Sequence, residues 1–164
     1  MEPILNQEES QQNIFDSFNP IQYTEASLGA RFLNFVIDNL FMRFALSYAT
    51  GYVVGYILSI VAPDFLLSIA YGDERSGPLL LLGLIIAYFN YITYYTFCEF
   101  AFKGYTLGKL ITGTKAIRED GNPLTFRNAI LRSLSRIVPF EPFSAFGRKP
   151  WHDSWTKTMV VKAR

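Results

Sequence analysis

The sequence is poor in the residue types that usually carry enzymatic or metal chemistry. Among its 164 residues there is one cysteine, Cys98, and one histidine, His152. A single cysteine excludes an intrachain disulfide. The chain has no serine or cysteine nucleophile motif, no phosphate-binding loop and no metal-spaced cluster of His or Cys. We therefore expect a protein that is not an enzyme and binds no metal or cofactor, with His152 packing between Trp151 and Trp155.

The N-terminal region lacks basic residues. Residues 1–30 carry five acidic side chains and no basic one, and Gln, Glu, Asn and Ser dominate residues 1–22. A cleavable signal peptide needs a basic start followed by an apolar run, and neither is present. We expect residues 1–26 to form a flexible acidic arm, and the first membrane span to direct insertion.

Charge is also absent from two long apolar runs, residues 44–62 and 78–98. Each run is close to the ~20 residues that a helix needs to cross the hydrocarbon core of a bilayer. The pattern predicts two transmembrane helices, with spans at about 40–62 and 78–100. The first helix is expected to begin near Ser27, whose hydroxyl can cap free backbone amides, and to stop at Pro63.

The net charge of +1 conceals an uneven distribution of charge. After residue 100 the chain has twelve basic and four acidic residues, whereas the linker 63–77 has three acidic residues and one basic. Lys and Arg close to span ends mark the cytoplasmic side of a membrane. We therefore expect both termini to be cytoplasmic, in a multi-pass protein of the plasma (inner) membrane. The lipid bilayer is the expected partner, and no nucleic acid is expected.

Residues 104–163 are predicted to form a cytoplasmic cap. Two β-prone runs, 110–117 and 158–161, can pair as a small β element. Between them, residues 125–138 have helical spacing, with an apolar side opposite three arginines. Such a basic amphipathic helix lies in the plane of the inner leaflet or packs on a partner. The side chains assigned to the membrane surface are Arg127, Arg132 and Arg136.

Two charges stand near the start of the first apolar helix. Arg31 and Asp38 are seven residues apart, so they share a helix face at a distance of about 10 Å. A charge near hydrocarbon costs about 2.5–3.5 kcal/mol on insertion scales, so each needs a partner. One interpretation is a cation or proton site at Asp38, with Glu99 of the second span beside it. The other is a set of anchors in which these charges pair with Glu99, Asp153 or the basic tail.

Small residues recur at every fourth position of the first span, forming a strip that includes the GYVVG pattern of close helix contact. The strip predicts packing against the second span or against another chain. Asn90, near the middle of the second span, must hydrogen-bond across helices. The strip consists of Ser47, Gly51, Gly55 and Ser59.

Four segments, taken in order, resemble the RDD family of small membrane proteins, which is named for one arginine and two aspartates. They are ARFLNFVIDN at 30–39, GYTLGKLITGTKAIREDGNPL at 104–124, ILRSLSRIVPF at 130–140 and WHDSWTKTMVV at 151–161. The resemblance covers residues 27–163 and matches the naming residues to Arg31, Asp38 and Asp153. The middle segment is quite specific, through Gly108, Lys109, Gly113, Asp120 and Gly121.

The resemblance implies an integral membrane protein with cytoplasmic termini and a proposed role in moving ions or other ligands. One segment departs from the family pattern. Where some members add apolar length, this chain has PFEPFSAFGRKP, interrupted by Pro139, Pro142 and Pro150. Whether 126–146 forms a third span or an interfacial helix is therefore open.

The expected fold is an all-α membrane protein with two transmembrane helices, a basic amphipathic interfacial helix and a small cytoplasmic β element. Two functions are open for this domain, residues 27–163. As an oligomeric transporter, the protein would exchange cations and protons through Asp38 and Glu99. As a non-catalytic accessory or assembly subunit of a larger membrane complex, it would hold the same charges in a fixed network. Both functions require a homo-oligomer or other membrane proteins.

Overall fold

The described part of the protein is mainly helical, with one small sheet. The computed structural model describes residues 23–71, 77–144 and 149–163. In chain order the elements are α1 (Leu28–Phe41), a π-helical turn (Met42–Leu46), α2 (Ser47–Val61), α3 (Pro63–Tyr71), α4 (Gly77–Ala101), α5 (Leu107–Thr112), β1 (Thr114–Arg118), α6 (Phe126–Ser135), α7 (Glu141–Ser144), α8 (Trp151–Thr156) and β2 (Thr158–Lys162).

Elements α1, the π-helical turn and α2 form one continuous helix of 34 residues. The helix begins after Ser27, because the Ser27 Oγ accepts a hydrogen bond from the Ala30 N–H at 3.3 Å. It ends at Val61, two residues before Pro63. Both predicted ends are confirmed. At 1.5 Å per residue the helix is about 50 Å long, which exceeds the ~30 Å hydrocarbon core of a bilayer.

The second long apolar helix is α4, which packs against the first helix through Met42, Tyr94 and Tyr95. The Asn90 Nδ2 donates to the Thr50 Oγ1 at 2.8 Å, so the predicted hydrogen bond between the helices is confirmed. Residues 28–61 and 79–101 are long and apolar enough to cross a membrane. The two spans predicted from the sequence correspond to these helices.

The cap contains a two-stranded antiparallel sheet within the described residues. Strands β1 and β2 pair with Thr114 opposite Lys162 and Arg118 opposite Thr158. Glu25 adds a bridge to Val161 on the free side of β2. Residues 23–26 therefore belong to the folded domain, whereas residues 1–22 of the predicted arm lie outside the described residues. The small core under the sheet consists of Ala26, Ala116, Leu124 and Val160.

The strand predicted for residues 110–117 begins later than expected, at Thr114. Residues up to Thr112 are helical, because the Thr106 side chain caps α5 by accepting from the Lys109 N–H. Gly113 then ends α5 in the left-handed region with a φ of 67°. Only after this glycine does the chain extend into β1. Local capping thus overrides the β propensity of Leu110 to Thr112.

Helix α6 carries the basic amphipathic pattern. A capping box of Thr125 and Asn128 fixes its start, and it has ten residues. At 1.5 Å per residue it is about 15 Å long, half of a bilayer core. The described structure therefore excludes a third span at α6.

Candidate functional site

Glu99, near the end of α4, lies at the centre of a buried ionic cluster. Its side chain has no exposed surface. The Oε1 atom lies 2.6 Å from the Lys109 Nζ and 2.8 Å from the Arg136 Nη2, and the Oε2 atom lies 2.8 Å from the Arg132 Nε. An isolated buried carboxylate would be strongly destabilising, so these three cations allow Glu99 to remain ionised inside the protein.

Arg132 links Glu99 to a second buried carboxylate, Asp153. The Arg132 Nη1 contacts the Asp153 Oδ1, and both side chains are fully buried. On the other side, the Arg31 Nη1 donates to the Asp153 Oδ2 at 3.1 Å, and the Arg31 Nε donates to the Ala26 carbonyl oxygen at 3.2 Å. We refer to these six residues as the charge cluster: Arg31, Glu99, Lys109, Arg132, Arg136 and Asp153.

The charge cluster joins the two long apolar helices to the cap. Arg31 comes from α1 and Glu99 from α4, whereas the remaining members come from α5, α8 and the region of α6. Arg136 also lies over the ring of Tyr95, 4.3 Å from its centroid. Such a cation–π contact contributes about 0.5–2 kcal/mol, depending on desolvation. The cluster thus fixes the cap on both spans.

Burial and neighbouring charges have opposite effects on the pKa values of Asp153 and Lys109 in the cap. Burial alone would raise the pKa of Asp153, but Arg132, His152 and Arg31 lower it to about 2. Burial lowers the pKa of Lys109 to about 8, and Glu99 opposes that effect. Burial also lowers the pKa of His152 below its usual value. At pH 7 Asp153 is therefore ionised and Lys109 is mostly protonated.

Asp38 is held in a different way from the other buried carboxylates. Its Oδ1 accepts from the Tyr94 hydroxyl at 2.7 Å and from the Gly108 N–H at 2.8 Å, and its Oδ2 accepts from the Thr106 hydroxyl at 2.8 Å. All three donors are neutral. Among the described residues, no cation forms a salt bridge with Asp38, although the residue is only 1% exposed.

Gly108 allows α5 to approach α1 closely enough for this arrangement. A Cβ atom at residue 108 would lie 2.5 Å from the carbonyl oxygen of Asn34 and 2.9 Å from its Cα. Both are backbone atoms of α1 and cannot move aside easily. The close approach also delivers the Gly108 N–H to Asp38. Three residues therefore dock α5 on both long helices. Thr106 and Gly108 contact Asp38 of α1, and Lys109 contacts Glu99 of α4.

The sequence model of the RDD family matches residues 25–158, which is most of the chain. The chain belongs to the RDD family. With its two apolar helices it is a membrane protein, as the resemblance implied. No curated protein and no solved structure matches the chain.

The three residues matched to the name of the RDD family, Arg31, Asp38 and Asp153, lie in two separate groups of contacts. Arg31 and Asp153, 122 positions apart in the sequence, are direct partners. Asp38 lies two turns along α1 and is held by Tyr94 and the start of α5. Arg31 therefore contacts Asp153 rather than Asp38 or Glu99, and the latter two carboxylates share no partner among the described residues.

Two of the three arginines assigned to the membrane surface are inside the protein. Arg132 has no exposed surface and the Arg136 side chain is 8% exposed, whereas Arg127 is exposed. Both arginines turn inward because the buried charge of Glu99 attracts them. The apolar side chains Phe126 and Leu134 of α6 are left exposed instead.

The strip of small residues does not pack closely on the second span. Gly51 and Gly55 have open space where a Cβ would be, with nothing described within 4 Å. Ser47 and Gly55 are partly buried, and Gly51 and Ser59 are exposed. Within the described residues, the strip is therefore open on the outside of the helix pair.

Sequence reasoning missed the roles of Lys109, Thr106 and Tyr94 at this site. Lys109 belongs to the segment that resembles the family, but nothing in its local pattern indicates that it is buried against Glu99. A signal was available for Thr106, because threonine is a favoured residue at the N-cap of a helix. The Tyr94–Asp38 contact depends on tertiary packing alone.

Proposed function

We propose that this RDD protein is a non-enzymatic assembly subunit that packs the exposed face of its first membrane helix against another membrane chain. The partner is a second copy or a different membrane protein. The observation that carries the proposal is an uncovered, small-residue face on α2. The oligomer forms in the plasma (inner) membrane, with both termini in the cytoplasm.

The uncovered face of α2 combines small residues with tyrosines. Tyr48, Tyr52 and Tyr56 follow one another at every fourth position and are 78%, 72% and 62% exposed. Their phenolic hydroxyls make no hydrogen bond to another described residue, and an unpaired hydroxyl in hydrocarbon costs several kcal/mol. Next to them, Gly51 and Gly55 leave room for a neighbouring backbone. A second helix packed here would cover the glycines and offer partners to the tyrosines.

The charge cluster supports a static rather than a mobile role for the cap. Glu99 contacts three cations, and Asp153 contacts Arg31 and Arg132. Rearranging such a cluster would leave several buried charges without partners at once, at a cost of several kcal/mol each. A rigid cap is suited to presenting one fixed helix face to a partner.

The cap is expected to rest on the cytoplasmic leaflet. It exposes large apolar side chains, and its exposed arginine, Arg127, can reach anionic headgroups. Helix α6 then lies in the interface, and the positive charge after residue 100 sets the orientation. The apolar residues that would enter the leaflet include Leu110, Ile111, Phe126, Leu134 and Phe140.

The test is the number of chains per particle in lipid nanodiscs, compared among three variants. Gly51→Leu and Gly55→Leu should convert assemblies to single chains, because leucine blocks close helix approach. Gly83→Leu is the matched control, since Gly83 lies in α4 and also has open space at its Cβ position. If the wild type contains one copy of this chain and no second protein copurifies, the proposal is wrong.

Cation–proton exchange is a second candidate function, favoured by the state of Asp38. Asp38 is a buried carboxylate bound only by neutral donors, so a transported cation or a proton could neutralise it. Two spans cannot enclose a path, so this function also needs an oligomer. Cation-dependent proton flux in liposomes should be lost in Asp38→Asn and retained in the exposed control Asp64→Asn. Equal flux in Asp38→Asn and wild type would exclude it.

A further inference from the structure

A cavity of about 490 Å³ lies between α1, α4 and the cap. Its volume is in the range of ligand-binding cavities, ~300–1,000 Å³. One wall is apolar and comes from α1, with Leu28, Gly29, Phe32 and Phe35. The polar groups that line the cavity are Arg31, Asn34, Asp38, Lys109, Arg136, Glu141 and His152.

The carboxylates of the cavity already have their hydrogen-bond donors. Asp38 accepts from three neutral groups. Glu141, which is 5% exposed, contacts the Nδ1 atom of His152. Both carboxylates are therefore already engaged by donors of the protein.

Two cations in the lining of the cavity, Arg136 and Lys109, have unused hydrogen-bond donors. The Arg136 side chain is 92% buried, and its Nη1 atom has no hydrogen-bond partner among the described residues. A buried polar atom left unpaired costs about 1–3 kcal/mol, and more when it is charged. The Lys109 Nζ has three protons and donates one hydrogen bond, to Glu99. Both groups therefore have protons to offer to an additional acceptor.

The charge of the lining favours an anion as that acceptor. Three cations, Arg31, Lys109 and Arg136, line the cavity against two carboxylates, Asp38 and Glu141. Arg31 is already occupied by Asp153 and by backbone carbonyl groups. An anion would thus meet Lys109 and Arg136, whose free donors match the acceptor oxygens of a carboxylate or phosphate.

We propose that the cavity binds an anionic amphiphile, a carboxylate or phosphate head joined to an acyl chain. The head would accept hydrogen bonds from Arg136 and Lys109, and the chain would lie along Leu28, Phe32 and Phe35. Leu28 and Phe32 are 56% and 65% exposed, so the apolar wall continues onto the surface of α1. Basic pockets between membrane helices on the cytoplasmic side are suited to anionic headgroups. The proposal does not depend on assembly through α2.

The test is native mass spectrometry of the full chain in non-ionic detergent with phosphatidylglycerol, oleate or phosphatidylcholine. One anionic ligand should be retained per chain, and phosphatidylcholine should be lost. Arg136→Gln should weaken retention about tenfold or more, the effect of one charge-assisted hydrogen bond. Arg127→Gln, an exposed arginine on the same helix, is the matched control and should bind like the wild type.

A second variant keeps the test decisive if Arg136→Gln fails to fold. Gly29 lines the cavity and has open space at its Cβ position, so Gly29→Leu fills the apolar part and leaves the charge cluster intact. It should also lose the ligand, whereas Gly83→Leu should retain it. Retention of phosphatidylglycerol alone identifies a phospholipid, and retention of oleate alone identifies a fatty acid; retention of both means that charge and chain suffice. Retention of neither, or equal retention in Gly29→Leu and Gly83→Leu, overturns the proposal.

Discussion

Replacing Glu99 by glutamine removes the charge at the centre of the cluster while keeping the size of the side chain. In the wild type, Oε1 accepts from Lys109 and Arg136, and Oε2 accepts from Arg132. An amide nitrogen at either position would face a cationic donor, so at least one of these contacts becomes repulsive. Lys109 and Arg136 would then be buried without a carboxylate partner, whereas Arg132 would keep its contact with Asp153.

The magnitude follows from which cations can adapt. Lys109 can lose its proton, because its pKa is already lowered to about 8, but Arg132 and Arg136 stay charged. Burial of an unpaired charge after loss of its partner costs about 3–5 kcal/mol. We therefore expect Glu99→Gln to lower the free energy of unfolding by at least that amount, or to prevent folding.

The assay is denaturant unfolding in mixed micelles, followed by the fluorescence of Trp151 and Trp155 in the cap. Glu119→Gln is the control, since Glu119 pairs with Lys149 at the surface and its side chain is 49% exposed. Exposed pairs contribute about 0–1 kcal/mol. The reasoning is refuted if Glu99→Gln and Glu119→Gln are equally stable.

Two further predictions follow from the docking of α5 and from Asp153. Gly108→Ala should destabilise the protein by about 1–3 kcal/mol or more, because its Cβ would overlap the backbone of Asn34; Gly29→Ala, with open space, is the control, and equal stability of the two would contradict the close approach. The pKa of Asp153 is lowered from 3.8 to about 2, so its ionised form contributes stability above pH 4 that is lost as pH falls to 2. The loss should be about 2 kcal/mol. The free energy of unfolding of the wild type, measured at pH 4 and at pH 2, should show this loss of stability. If Asp153→Asn shows the same loss, the loss comes from another group and the prediction for Asp153 is wrong.

The membrane helices were predictable because their signals are local. An uncharged run of span length predicts each helix, and the hydroxyl of Ser27 and the ring of Pro63 fix the ends of the first one. The pairing of β1 with β2 was also accessible, since both runs have β-prone composition. Each helix and each strand, taken singly, depends on residues that are neighbours in the sequence.

The orientation of α6 was not predictable in the same way. Its helical period places Arg132 and Arg136 on one side, but the period alone does not say which side is buried. Water or headgroups usually receive the basic side. In this protein Glu99 lies behind α6, so Arg132 and Arg136 turn inward. The decisive partner is more than thirty residues away in the sequence, beyond the reach of any local pattern.

The central claim is that Glu99 and Arg132 interact as part of one buried cluster that holds the cap on the spans. A double-mutant cycle with Glu99→Gln, Arg132→Met and both changes together measures that interaction through unfolding free energies. We predict a favourable coupling of about 1.5–3 kcal/mol, the upper part of the range for residues in one network. A coupling below about 0.5 kcal/mol, as expected for residues that do not touch, would contradict the account.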